Sequence, residues 1–311
     1  MKPAKTIKRL WFIIALFGLC SCEQNDSTGS NTNTNKVNAI HVTDFSGQKI
    51  SLSKPASRIV ALAPHIVENV YSAGAGENLV GAVAYSNYPD QAQSLPLVGG
   101  YASTNLEKIV ELNPDLIIAW QSGNKTKNID QMKQLGFTVY VDQPHSLEDV
   151  AKSLRDIGTL SGHSQAAEAA AVQYLKQLQD IRQQNKHKSS VSVFYQVWND
   201  PLQTINGQHI ISNAMSLCGG QNVYADEATI APVINIESIL QRDPLAIIAS
   251  GMSDARPEWL DDWKKWPSLT AVQKGNLFFV DPDHIQRHTI RILLGVKSIC
   301  EQFDLARQRE R

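Results

Sequence analysis

Residues 105–120 read NLEKIVELNPDLIIAW, and residues 235–250, 130 positions later, read NIESILQRDPLAIIAS. Seven of the sixteen positions are identical: Asn, Glu, Ile, Pro, Ile, Ile and Ala. Each copy opens on an Asn suited to capping a helix N-terminus, with a Glu in the first turn, where the helix dipole favours negative charge. Apolar residues recur at i, i+3 and i+4, an Asn-Pro or Asp-Pro pair stops the helix, and an apolar run begins. A short helix therefore delivers a buried strand, twice. Upstream of each copy lies a second matched pair, GAGENLVGAV (74–83) and CGGQNVYAD (218–226), in which a glycine turn leads from a helix into a strand. The same order of elements in both halves predicts two similar α/β lobes, and a repeat count of two excludes a solenoid.

Working outward, strands are expected at RIVAL (58–62), LVGAVA (79–84), DLIIAW (115–120) and TVYVD (138–142), then at SVFYQV (192–197), AIIAS (246–250) and LFFVD (277–281). Most are continuous apolar runs separated by helical stretches, the pattern of parallel sheets covered on both faces. The expected fold class is α/β, with two doubly wound lobes. Between them, residues 163–187 contain neither Gly nor Pro and are rich in Ala, Gln, Leu and Lys. That composition predicts one long spine helix within 161–188, joining a first lobe over 39–160 to a second over 189–311. A single rigid joint predicts small lobe motion and a largely preformed cleft.

The chain's start reads as export machinery. Lys2, Lys5, Lys8 and Arg9 form a positive n-region, and the apolar run at 10–19 is shorter than the roughly 20 residues that a spanning helix needs. Residues 1–21 are thus expected to be a signal peptide. The sequence LCSC, ending at Cys22, looks like a bacterial lipobox, in which the cysteine is lipidated and becomes the new N-terminus; ordinary secretory cleavage is the alternative. Cleavage before Cys22 would leave 25 Lys and Arg against 30 Asp and Glu, an acidic chain that is unsuited to nucleic acid. Residues 22–38 contain almost nothing apolar and read as a flexible tether with a reach of about 20 Å. Of the four cysteines, Cys218 and Cys300 remain, either as a disulfide in an oxidising compartment or as two buried thiols.

The 311 residues, 42% apolar and 19% charged, lack a phosphate loop, a GxGxxG after a strand, HExxH and GxSxG. His284 and His288 lie four apart but lack further ligands, so no metal site is expected, nor any cofactor or catalytic residue. In open α/β sheets a ligand lies beyond the carboxyl ends of the strands. Those ends offer Tyr85 and Tyr88, with Pro89, in AYSNYPD, then Tyr101 and Trp120 in the first lobe. In the second lobe they offer Trp198, Asp283, His284 and Arg287. Aromatic faces of this size suit a large flat ligand better than an ion or a single amino acid.

The stretch from RIVALAPHIVENVYSAGAG through YSNYP, NLEKIV and AWQSGN, then LCGGQNVYAD and DPDHIQRHTIR, resembles the cobalamin-binding proteins of bacterial ABC importers over about residues 55–305. The resemblance implies the helical-backbone class of periplasmic binding proteins, a monomer holding cobalamin edge-on between its lobes. By residue-for-residue match, Tyr85 and the stretch Asp283, His284, Ile285, Gln286 and Arg287 fall on ligand contacts, and Cys218 and Cys300 on a disulfide. Glu107 and Glu237 fall on the carboxylates that dock each lobe onto a permease dimer with its ATPase subunits. One acidic group at equivalent helix starts in each lobe suits such a two-fold partner, although both could simply complement helix dipoles. Tyr101 stands where the family has Trp, Ala231 where a second-lobe Trp is expected, and His284 where an aromatic lies, changes that remove stacking surface. Haem or ferric-siderophore capture by the same fold is the competing reading, with Tyr101 or His284 as axial ligand. An exported α/β enzyme is less favoured, because no nucleophile and base lie at motif spacing.

Overall fold

The computed structural model describes residues 39–100, 103–251 and 255–310, which leaves the expected signal peptide, Cys22, the tether and Tyr101 outside the described residues. An antiparallel hairpin of β1 (Ile40–Thr43) and β2 (Lys49–Leu52) comes first. It is followed by β3 (Ile59–Ala61), α1 (Pro64–Ser72), β4 (Leu79–Ala82), the two-residue pair β5 (Gly99–Gly100) and β6 (Ser103–Thr104), and α2 (Leu106–Leu112). Then come β7 (Leu116–Trp120), α3 (Thr126–Gln134), β8 (Val139–Asp142), α4 (Asp149–Ser161) and α5 (Ser164–Asn185). The second lobe contains β9 (Val191–Gln196), the short pair β10 (Trp198–Asn199) and β11 (Leu202–Gln203), α6 (Ile210–Leu217), β12 (Gly220–Asn222) and α7 (Ile236–Arg242). It ends with β13 (Ala246–Ala249), α8 (Thr270–Gln273), β14 (Leu277–Phe279), α9 (Pro282–Ile285) and α10 (Ile292–Glu310).

The duplication read in the sequence is a duplication of topology. The first sheet runs β4-β3-β7-β8 and the second β12-β9-β13-β14, so each places its strands in the order second, first, third, fourth, all parallel. The repeat helices α2 and α7 match in detail. Asn105 accepts from the Lys108 amide (2.9 Å) and Asn235 from the Ser238 amide (2.8 Å), each capping its helix. Each helix ends in a left-handed residue, Asn113 (φ 44°) or Asp243 (φ 37°), ahead of its proline.

Strand side chains alternate between two cores, which explains why the strands read as unbroken apolar runs. From β7, Leu116 and Ile118 face the inner core, while Ile117 and Ala119 face an outer cluster with Ile109 of α2 and Ile129 and Met132 of α3. From β13, Ala246 and Ile248 face the same inner core, and Ile247 and Ala249 meet Ile239, Leu260 and Trp263 on the outer side. The inner core is continuous through both lobes.

The spine is α5, 22 residues and about 33 Å long and shorter at both ends than the expected 161–188; it starts late because Gly162 takes φ 80° and closes α4. Ala167, Ala171, Tyr174, Leu178 and Ile181 form one buried stripe along it. The stripe packs on α4 in the first lobe and on α6 and α10 in the second. A Cβ on Gly158 of α4 would come within 2.2 Å of the Ala167 Cβ, so only glycine permits this close crossing. No described helix is long and apolar enough to cross a membrane.

A disulfide joins Cys218, at the end of α6, to Cys300 in α10, with Cα atoms 4.9 Å apart. In the chain-entropy account, closing a loop of this length contributes about 4.5 kcal/mol. The Cys218→Ser/Cys300→Ser protein is therefore expected to unfold at a clearly lower urea midpoint, and reductant should shift the parent chain but not the variant. A second stability element is His209, whose Nδ1 accepts from the Ile211 amide (3.1 Å) and caps α6. Burial pushes its pKa down to about 4. The unfolded chain then takes up a proton that the folded chain refuses, so stability should fall as pH drops from about 6.5 towards 4. His209→Asn, which keeps a capping oxygen, should flatten that slope by about one proton in urea titrations across the window.

Candidate functional site

In the first sheet, the helix after β3 (α1) packs into the inner core and the helix after β7 (α3) into the outer one, so the two connections part at the strand ends and leave a crevice. Asn124 ties its rim, accepting from the Trp120 amide (2.7 Å) and donating to the Leu62 carbonyl (3.0 Å). The Trp120 ring lies over Gly123, where a Cβ would approach within 1.8 Å of a ring carbon. It also meets His65 edge-on at 5.2 Å.

This crevice opens into a cleft of about 290 Å³ shared by both lobes. Pro64, His65, Tyr85 and Trp120 line it from the first lobe, and Pro282, Asp283, Gln286 and Arg287 from the second. Tyr85 adopts φ 66°, a conformation that costs a residue with a Cβ about 1 kcal/mol or more, and its side chain is left 80% exposed at the mouth. On the opposite wall, Asp281 caps α9 by accepting from the Asp283 amide (2.8 Å). Gln286 Nε2 donates to Ser250 Oγ (2.6 Å) and to the Gly251 carbonyl (3.1 Å) at the end of β13.

Polar contacts bind the two walls to each other. Arg287 donates to Glu68 of α1 (2.7 Å), pairs with Asp283 (2.7 Å) and reaches the Tyr85 carbonyl (3.4 Å). Arg291 donates to the same oxygen of Glu68 (3.1 Å) and lies over the Tyr88 ring at 4.0 Å. Asn87 donates to Asp283 (3.3 Å) and Asn69 to the His288 carbonyl (2.9 Å). Beneath Trp120, His288 is fully enclosed. Burial, reinforced by His65, His209 and His145, holds its pKa well below that of a free imidazole. Buried polar atoms without a hydrogen-bond partner among the described residues gather here, including His65 Nε2, Glu68 Oε2, Trp120 Nε1 and His288 Nδ1. Of these four residues only His65 and Trp120 line the cleft, and His65 Nε2 lies 3.4 Å from Asp142 Oδ2.

The expected site residues divide accordingly. Tyr85, Trp120, Asp283, Gln286 and Arg287 converge on the cleft. Ile285 does not, because it is fully buried in the inner core. His284 turns to Asp281 (3.5 Å), and Tyr88 lies under Arg291, with Pro89 half-buried beside it. Trp198 sits outside the cleft lining on the β10–β11 hairpin, where its indole donates to the Asp200 carbonyl (2.9 Å). Glu107 and Glu237 are exposed in the first turns of α2 and α7, and neither has an ion-pair partner among the described residues. In parallel sheets these helix starts lie at the carboxyl edge, on the same side as the cleft mouth.

His65 and Glu68 were missed from the sequence. The available signal was a Glu inside PHIVENVYS, a helix whose other neighbours are largely apolar. Such a charge is buried and must be paired.

A family model described as periplasmic binding protein matches residues 59–284. The vitamin B12-binding protein of Vibrio cholerae serotype O1 is 36% identical over 255 residues, covering 82% of this chain and 91% of that one. The crystal structure of the periplasmic vitamin B12 binding protein BtuF of Vibrio cholerae superposes with a TM-score of 0.76 at 35% identity, covering 82% of this chain and 99% of that chain. The periplasmic heme-binding protein RhuT from Roseiflexus sp. RS-1 shares the fold at a TM-score of 0.70 and 21% identity, covering 81% and 99% of the two chains. With two duplicated parallel sheets on one spine helix and a cleft between them, this chain belongs to the periplasmic binding protein family.

Proposed function

We propose that the protein captures cobalamin or a related corrinoid in the interlobe cleft and delivers it to an ABC import permease. The observation that carries this reading is the cleft itself, with aromatic walls from one lobe facing Asp283, Gln286 and Arg287 of the other. Aromatic faces supply the broad apolar contact that a planar macrocycle needs, and the polar groups fix its edge. The named function of the Vibrio cholerae relatives supports the same ligand. On this reading no catalytic step occurs and the chain acts as a monomeric carrier.

Docking falls to Glu107 and Glu237. Each is exposed, unpaired among the described residues and placed at an equivalent helix start in duplicated lobes, which gives a two-fold pair of carboxylates for a permease dimer with its ATPase subunits. Export through the signal at 1–21 and lipidation of Cys22 would place the carrier in the periplasm, held to a membrane by its lipid and the 22–38 tether.

Calorimetric titration of the folded domain with cyanocobalamin is expected to saturate at one ligand per chain, tighter than micromolar. A flat titration, or a Soret band in protein purified from cells supplied with cobalamin and haem, would overturn the corrinoid reading. Glu107→Ala/Glu237→Ala should abolish uptake in cells and leave cyanocobalamin affinity unchanged. Loss of ligand binding in that variant would reject the docking role.

A further inference from the structure

The charges at the cleft cancel. Asp283 and Arg287 line it, and Glu68 and Arg291 stand directly behind, two carboxylates against two guanidiniums. The Glu68 side chain is 1% exposed, and its Oε1 alone receives both arginines, at 2.7 Å and 3.1 Å. Both arginines come from the second lobe and Glu68 from the first, so the arrangement lasts only while the lobes stay together. Arg287 spends one amino group on Glu68 and the other on Asp283, while Arg291 stacks on Tyr88. Neither guanidinium is left uncompensated to meet an anionic ligand. The remaining polar groups of the lining are Asp283 and Gln286 Oε1, which accept, the Tyr85 hydroxyl, and His65, whose Nε2 lies 3.4 Å from the buried Asp142 carboxylate, while both Gln286 N–H groups are taken up by Ser250 and Gly251. That set matches the N–H and C=O groups of amides. A ligand carboxylate would meet Asp283 without a free cation, and a like-charge contact in a partly desolvated site costs affinity.

We propose that Glu68 is a specificity-determining positioning residue: by holding Arg287 and Arg291 in compensated pairs, it keeps free positive charge out of the cleft, which then selects a planar ligand rimmed with neutral amides over one rimmed with carboxylates. The inference rests on the corrinoid reading above and specifies which corrinoid edge the cleft accepts. Glu68 touches no ligand itself. It acts through Arg287.

The test compares cyanocobalamin with its monocarboxylic acid, in which one side-chain amide has been hydrolysed, by calorimetry at pH 7. The wild-type chain is expected to prefer the amide by about tenfold or more. Glu68→Gln, which frees charge on both arginines, should narrow that ratio towards one or reverse it. Asp283→Asn, at a side chain 35% exposed, should act in the same direction and keeps the test available if the buried substitution lowers the yield of folded protein. A purely structural role for Glu68 would weaken both ligands together and leave the ratio unchanged. Equal wild-type affinities, or an unchanged ratio in the folded variants, would overturn the inference while leaving cobalamin capture standing. A wild-type chain that binds neither compound would overturn the ligand reading and the inference with it.

Discussion

A carboxylate taken out of water must find its counter-charge inside the protein, and Glu68 finds it only across the lobe boundary. The rest of the site is arranged around that requirement. Helix α1, which carries Glu68, is buried on nearly every side because it packs against its own sheet and α4 and also meets the second-lobe segment that supplies Arg287 and Arg291. The adjacent Asn69 binds the His288 backbone, and Arg287 passes the link on to Asp283 and the Tyr85 carbonyl. Cleft wall and lobe junction are thus one polar network.

The apolar counterpart is the inner core. It runs from β3 and β7 through α4 and α5 to β9, β13 and α10, without a break at the lobe boundary. Helix α5 is therefore less a linker than a shared core element, and the disulfide between α6 and α10 closes the second-lobe side of the same layer. Polar and apolar contacts both resist hinge motion.

Much of this was legible in the sequence because it was written twice and in strong signals. Strands buried on both faces appear as unbroken apolar runs, and capping asparagines with Asn-Pro or Asp-Pro stops bracket α2 and α7. The β1–β2 hairpin was not legible, since its strands IHVT and KISL are only four residues each and mostly half-buried or exposed, too short for a clear periodic signal. Nor was the division within 283–287. A resemblance carries a stretch as a whole, yet α9 turns Ile285 into the core while Asp283 and Arg287 face the cleft. Glu68 escaped for a different reason. Its partners lie more than two hundred residues away, and no local pattern encodes a contact of that range.

The shared core also constrains how occupancy can be announced. A carrier that folds its halves together on loading offers a docked transporter a changed spacing to sense. With one continuous interior through both halves, this protein would present nearly the same outline full or empty. On the proposed carrier reading, a transporter seated over the mouth would then have to recognise the cargo by touching its protruding edge, and an unloaded carrier would compete for the same seat.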